Sequence, residues 1–576
     1  MSITVQNRFL RVRDCLGEGK ASAILQDTLD LTGEYPDVDR VIVAHAVPRH
    51  VDAVCGEGRV MVRGAVDLRL LYEAAKPSRP RHEDRRDRRH DRRDHRHGRD
   101  EYDDQGHHDH DDDHDDDHDH DHEPPRLVLV QFKEVCSFEV AVEMSGVSPG
   151  FTARAMVTIE SVNASLVNRR RLGCDVALVA VARVCEDQEV RAAVEGTALP
   201  PDRVRFVREV THVEHLVAEA ESPLRLEMNL AVPGEEPPLG EVLWVVPRCH
   251  HVMGRTGEGK CFVEGVFDVD AVYLTGDPQS PVRAFSWPDA HRFSTAFDLP
   301  GARPGMMLLA DWELEDCFGL RETDRCCAVT VDGRLRVAAR QAMDLPLVTD
   351  VVAESGGPLD VIRRTVRFPH HLPEGHRELT LGGVLSLPPT KPPVGCVLWT
   401  GAVFIPDQVA VEDGRVLVEG DLSLDLLYQA ADPDCMIHHA EFPRALRLSQ
   451  AVEIPGVSPG MSACAHVSLH TVACRLVDPE TIQVDVVLKL HVRAMRVVQV
   501  EVVVECIMVA PCPPGTTLRL VVVQPGDTLW KLSRRYGVPL EAIIRANPQI
   551  PNPDLIYPGQ RVRIPCAPIV PPADPA

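Results

Sequence analysis

Three stretches of this chain are versions of one another, and no other property limits its fold as much. "VCGEGRVMVRGAVDLRLLYEA", "RTGEGKCFVEGVFDVDAVYLT" and "AVEDGRVLVEGDLSLDLLYQA" align without gaps. In each, a glycine precedes a tyrosine by eight residues: Gly64 and Tyr72, Gly265 and Tyr273, Gly420 and Tyr428. A second landmark follows, "GVSPG" at 146–150, "GARPG" at 301–305 and "GVSPG" at 456–460. Self-similarity at this scale means one structural unit made three times, so whatever fold suits one copy has to suit all.

The landmark spacing separates scaffold from addition. Gly265 to Gly301 is 36 residues and Gly420 to Gly456 is also 36, whereas Gly64 to Gly146 is 82, an excess of 46. The copies lie 201 and 155 residues apart, and those distances differ by the same 46. Inside the excess sits "HHDHDDDHDDDHDHDH" at 107–122, with seven histidines and nine aspartates. That run is an insertion into the first copy, and the other two do without it.

Within a copy, "RVLVEGDLSLDLLY" alternates apolar and polar side chains with period two, which reads as strand. The glycine in its middle suggests a bulge or a close backbone approach. "ARAMVTIESVNASLV", "ACAHVSLHTVACRLV" and "IQVDVVLKLHVRAMRVV" alternate in the same way, and the landmark loops are turns. Strands of five to ten residues separated by turns suggest an antiparallel β-sandwich of about 150 residues. The expected fold is mainly β, three tandem sandwich-like repeats and a small βααβ domain. Expected boundaries are 1–201 for the first repeat with an insertion at about 76–125, 202–350 for the second and 351–512 for the third. The small domain is expected at 518–566, before a proline-rich tail at 567–576.

Composition excludes several function classes. A net charge of −25 argues against a nucleic-acid binder, which needs a basic face, and nine of those charges belong to the inserted aspartates. Seventeen scattered cysteines with no CxxC pair give neither a disulfide framework nor metal-finger spacing, so reduced thiols are expected. The N-terminus has no apolar signal region, and stretches such as "VEVVVECIMVAP" are too short and charge-interrupted for a transmembrane segment. The chain is expected to stay inside the cell that makes it.

The character changes near residue 520, at "LVVVQPGDTLWKLSRRYGVPLEAIIRANPQIPNPDLIYPGQRVRIP". It reads as strand, helix, helix, strand. Asp527 and Thr528 can cap a first helix carrying Leu529, Leu532 and Tyr536, and Gly537 ends it. Pro539 suits the start of a second helix with Leu540, Ile543 and Ile544, which Asn547 and Pro548 close. Trp530 and Tyr536 are expected in the core.

This stretch resembles a LysM domain: it carries GDTLW at 526–530, YG at 536–537, Asn547, and IYPGQ at 556–560 before a strand ending in Ile564 and Pro565. The resemblance implies recognition of N-acetylglucosamine polymers, chiefly peptidoglycan or chitin, in a shallow groove between two loops. Carried onto this chain, the groove is Gly526, Asp527, Thr528 and Leu529 on one side, and Ile550, Pro551, Leu555, Ile556 and Tyr557 on the other.

Three β repeats followed by one LysM resemble spore-coat morphogenetic proteins with tandem DUF3794 (SPOCS) domains. The resemblance implies a non-enzymatic scaffold in the mother-cell cytoplasm at the forespore surface, contacting a basement-layer ATPase of the coat. A LysM placed there meets either a sugar polymer or a protein. Two other readings stay open: a peptidoglycan-binding protein outside sporulation, and a metal-buffering protein.

No HExxH or P-loop occurs, the GVSPG runs at 146–150 and 456–460 fit the GxSxG pattern but are the landmark turns of the repeat, and three homologous β repeats leave no separate catalytic domain, so no enzyme and no cofactor are expected. The insertion cannot bury a core and is expected to be disordered. Its His107, His108, His110, His114, His118, His120 and His122, among aspartates, suit weak adventitious binding of Zn²⁺, Ni²⁺ or Cu²⁺. A selective site needs fixed ligands, which such a tract lacks. The doublets His250–His251, His370–His371 and His438–His439 fall at non-equivalent repeat positions and are expected on surfaces or loops.

Overall fold

Each sequence repeat folds into two antiparallel sheets packed face to face, three-stranded except for one four-stranded sheet in the third. The computed structural model describes residues 2–75, 126–199, 204–277, 280–354, 359–431, 436–508 and 516–566. In the first unit the strands are β1 (Ser2–Asp30), β2 (Val38–Gly56), β3 (Arg59–Ala74), β4 (Leu127–Glu143), β5 (Thr152–Asn168) and β6 (Arg171–Leu199). They pair as β1-β6-β5 and β2-β3-β4. The second unit has β7 (Val204–Ala231), β8 (Val242–Thr256), β9 (Lys260–Leu274), β10 (Val282–Asp298), β11 (Met307–Thr323) and β12 (Cys326–Ala353). Its sheets are β7-β12-β11 and β8-β9-β10. The third has β13 (Leu359–His371), β14 (Gly375–Ser386), β15 (Val394–Glu412), β16 (Arg415–Ala430), β17 (Ile437–Glu453), β18 (Ser462–Asp478) and β19 (Thr481–Met508). There β13 and β14 divide what is one strand in the other units, and both pair with β19.

The period-two pattern is the cause of the sandwich. Along β6, Leu172, Cys174, Val176, Leu178, Ala180, Ala182 and Val184 all enter the first core. Opposite them stand Val60, Val62, Leu68, Leu70 and Tyr72 of β3. Each buried valine or leucine contributes about 1.5–3 kcal/mol. A two-residue loop with positive-φ Gly58 (φ 68°) joins β2 to β3, and Gly259 (63°) and Gly414 (76°) hold the same place in the other units. The two sequence landmarks touch here: Gly58, Gly259 and Gly414 donate their N–H to Val147, Ala302 and Val457, each at 2.9 Å.

Strand length differs from expectation. The strands of the three units span 12–29 residues, not five to ten. Bulges let a continuous ribbon change direction without ending, so no turn residue marks the change. On β1 the register slips between Cys15 and Gly17, and beyond it residues 2–15 pair only with 185–199. This two-stranded arm leaves the sandwich, and equivalent arms extend from the other units. Val12, Val213 and Phe368, at matching places, share one buried cluster with Val190, Leu345 and Val500. A separate cluster joins Val43 and Leu71 with Trp244, Val272 and Leu427 of the other two units. The three units therefore close into a ring in which matching residues converge.

The glycine inside the repeat makes a close approach, and the bulge lies elsewhere. A Cβ on Gly64 would stand 2.6 Å from Phe138 Cζ. The register slips two residues later, between Val66 and Leu68. There Glu134 takes a positive φ of 49° and donates its N–H to Asp67 Oδ1 at 2.8 Å. Asp289 with Asp268, and Arg444 with Ser423, repeat the arrangement.

The excess of the first unit falls between β3 and β4, where Glu73 still pairs with Leu127. His107, His108, His110, His114, His118, His120 and His122 lie outside the described residues, as does the tail at 567–576. Fourteen of the described cysteines are free thiols, and Cys566 departs from the expectation by being disulfide-bonded. The histidine doublets are corrected: they stand on strands β8, β13 and β17, and His439 is buried. No helix among the described residues is long and apolar enough to cross a membrane.

Candidate functional site

The C-terminal module is β20 (Leu518–Val522), α1 (Leu529–Tyr536), α2 (Leu540–Ala546) and β21 (Arg561–Pro565). The strands pair antiparallel, Leu518 with Pro565 and Val522 with Arg561. Thr528 caps α1, its Oγ1 accepting from Lys531 N–H at 3.1 Å. Gly537 ends the helix at φ 63° and donates to Ser533. Leu529, Leu532, Ile543, Ile550, Val562 and Ile564 form the core.

Two loops run side by side above the sheet. Val523 N–H donates to Gln560 and Gly559 N–H to Val523, both at 2.8 Å, so the loop after β20 is pinned to the loop before β21. Gly526 and Gly559 turn at φ 85° and 86°. Asp527 points inward with its side chain 4% exposed, accepting from Gln524 N–H at 2.8 Å and from Arg535 Nη2 at 2.8 Å. Of the residues expected in the groove, Gly526, Thr528, Pro551, Leu555 and Tyr557 are exposed and Ile556 is half-buried. Leu529 and Ile550 lie in the core, where they hold the two loops in place. Leu555 and Tyr557 thus present exposed apolar side chains beside the backbone of the paired loops.

Trp530 corrects an expectation, being 59% exposed with the Arg534 guanidinium 5.6 Å from its ring centroid. Its neighbours Leu529, Leu532 and Tyr536 hold the inward stripe of α1, and one residue from Leu529 is 100° around the helix. Tyr536 packs against the core as expected.

Two further residues matter that sequence reasoning did not single out as functional. The Asn547 side chain, 1% exposed, donates to Ile543 O at 2.7 Å and to Arg563 O at 2.6 Å, and accepts from Arg563 N–H at 2.7 Å. It joins α2 to β21 and so fixes where the second loop begins. Arg535 joins the module to the third unit, its Nε 3.0 Å from Asp360 on β13. That contact is long-range and leaves no periodic trace.

Comparison with known proteins follows this division of the chain. Residues 521–565 match the family model for the LysM domain, and residues 393–477, from β15 to β18, match the SipL SPOCS domain. No solved structure matches. A spore coat assembly protein, ExsA, of Bacillus cereus is 44% identical over 48 residues, 8% of this chain and 8% of that protein. The SpoIVD-associated factor A of Bacillus subtilis (strain 168) is likewise 44% identical over 48 residues, 8% of this chain and 12% of that one. The secreted LysM effector ECP6 of Passalora fulva is 40% identical over 57 residues, 10% of this chain and 25% of its own. The chain thus spans about a tenth of the two bacterial relatives, and what it shares with known families is a LysM domain and a SPOCS domain.

Proposed function

We propose that this protein is a non-enzymatic assembly component of the bacterial spore envelope, with its β units as protein-contact surfaces and its LysM module as the docking element. The observation that carries the reading is the pair of pinned loops, with Leu555 and Tyr557 exposed beside Gly526 and Thr528. The SPOCS match in the third unit and the spore coat assembly protein among the relatives support the envelope setting. In this reading the protein works in the mother-cell cytoplasm at the forespore surface, where it contacts coat morphogenetic proteins such as the basement-layer ATPase. The LysM ligand is an N-acetylglucosamine polymer of the peptidoglycan type.

Co-sedimentation of the full chain with insoluble peptidoglycan and with chitin tests the ligand. Binding is expected, with at least a tenfold loss in the double variant Leu555→Ala, Tyr557→Ala. No sedimentation of the unsubstituted chain with either polymer rejects sugar recognition and leaves a protein ligand for the groove. A fluorescent fusion tests the setting: a shell around the forespore is expected, and a uniform signal in vegetative cells refutes it.

A further inference from the structure

The ring of three units is sealed at equivalent places, and one seal is built from different chemistry. Position 49 of the first unit corresponds to 250 of the second, and position 67 to 268, each 201 residues on. Where the first unit meets the second, Arg49 lies between carboxylates of both, 2.9 Å from Asp67 and 2.6 Å from Asp316. Where the third meets the first, Arg444 lies 2.6 Å from Glu160 and 3.7 Å from Asp421. Both seals are a guanidinium between two units' acids.

At the seal between second and third units, neither position carries arginine. The place of Arg49 is taken by His250, and the place of Arg444 by Asp289, 155 residues earlier. His470 of β18 stands where the other two units have Glu160 and Glu315, again at intervals of 155. His250, Asp268 and His470 each offer a ligand atom, all within 4.8 Å of one another.

We propose that these three side chains bind a divalent transition-metal ion, Zn²⁺ by its donor set, which bridges the second unit to the third. Two imidazoles and a carboxylate are borderline ligands of the kind Zn²⁺ takes, with a fourth position open. Asp268 is held by one oxygen, Oδ1, which accepts from Asp289 N–H at 2.8 Å. Its Oδ2 faces His250 Nδ1 at 3.7 Å. That distance is long for a hydrogen bond. It is close to the roughly 3.3–3.6 Å that separates ligand atoms bonded at about 2.0–2.2 Å in a tetrahedron. His250 Nε2, on the far side of the ring, faces Asp289 Oδ1 at 3.6 Å.

The His470 ring stands edge-on to that of His250, centroids 5.3 Å apart, and its buried Nδ1 has no hydrogen-bond partner. Burial pulls the His470 imidazole below its usual range, Lys489 and His250 pull the same way, and Asp268 and Glu378 oppose them. The ion supplies the positive charge that arginine supplies at the other two seals.

Melting temperature of the metal-stripped full chain, with and without Zn²⁺, tests this. Binding to the native fold alone raises the melting temperature, whereas a tract bound equally before and after unfolding does not. The same measurement on a variant lacking residues 76–125 shows whether the inserted His/Asp run contributes, and the rise is expected to persist there. A rise of several degrees is expected, lost in His470→Ala and kept in His376→Ala. The double variant His250→Arg, His470→Glu recreates the other seals and is expected to fold stably and ignore Zn²⁺. This carries the test if His470→Ala does not fold. No rise in the unsubstituted chain, or an equal rise in the double variant, overturns the proposal. So does a rise lost in His376→Ala, which assigns the ion to the exposed Glu374–His376–His491 group.

Discussion

The Tyr72 hydroxyl donates to the backbone carbonyl of Pro36 at 2.9 Å, and the same bond recurs from Tyr273 to Pro237 at 3.3 Å and from Tyr428 to Pro392 at 2.9 Å. Each partner lies 36 residues upstream, and each tyrosine is fully buried. The bond pins the strand carrying the repeat's tyrosine to the loop before the unit's second strand. Burial pushes the Tyr428 phenol up to about 12, so it remains a donor in any ordinary buffer. Removing one hydroxyl leaves a buried carbonyl without its partner, at about 1–3 kcal/mol. Tyr72→Phe, Tyr273→Phe and Tyr428→Phe are expected to destabilise by that amount each, read from denaturant midpoints. A neutral result in all three units would mean the bonds add nothing net.

That relationship shows how far the sequence could be read. The tyrosine was visible as a landmark because strands repeat with period two and the three copies share one register. Its partner was invisible, because a backbone carbonyl has no residue identity. The arms were missed for a related reason. Val190 and Ala192 of β6 continue the alternation, but the surface they meet belongs to the other units. The LysM module was legible from its motif, whereas Arg535–Asp360 and the His250–Asp268–His470 group bring together residues of different units. Trp530 was readable from its helical phase and was misassigned.

Gly265 permits a ring to cross the backbone of β9. A Cβ there would lie 2.3 Å from Phe293 Cε1 and 2.6 Å from Cζ, both atoms of one side chain. Gly265→Ala is expected to cost about 1–3 kcal/mol through overpacking. Adding Phe293→Leu should recover much of it, because the extra methyl then occupies space the ring has vacated. If the second change only worsens stability, the clash is not what makes glycine necessary.

Glu374 sits at the interruption between β13 and β14 and reaches across to β19. The hydrogen bond from His491 Nε2 at 2.8 Å, together with Arg493, holds its carboxyl at about 2. A carboxyl depressed in the folded state stabilises above its unfolded value and loses that contribution as pH falls toward the folded one. The loss should therefore run from about pH 4.5 down to pH 2. Glu374→Gln is expected to be less stable at pH 6 and to converge on the unsubstituted protein by pH 2, measured as melting temperature against pH. Parallel curves would show that the pair carries no proton linkage.

Arg535 serves two acids at once. Asp527, 4% exposed, is held at 2.8 Å within the module, and Asp360 of the third unit lies at 3.0 Å. Replacing Arg535 by methionine keeps the stem that packs on the module but leaves the Asp527 carboxylate without its charge partner. Removing one member of such a buried pair typically costs about 3–5 kcal/mol. The module's core is small, so Arg535→Met is expected to unfold residues 518–566 selectively and to leave the β units cooperative. Asp360→Asn removes only the contact to the third unit, whose acid is 35% exposed, and should cost under about 1 kcal/mol. Limited proteolysis separates the two variants: rapid cleavage within the module for Arg535→Met, and near-normal resistance for Asp360→Asn. Equal protection in both would place the stabilising role of Arg535 in its stem and not in its charge.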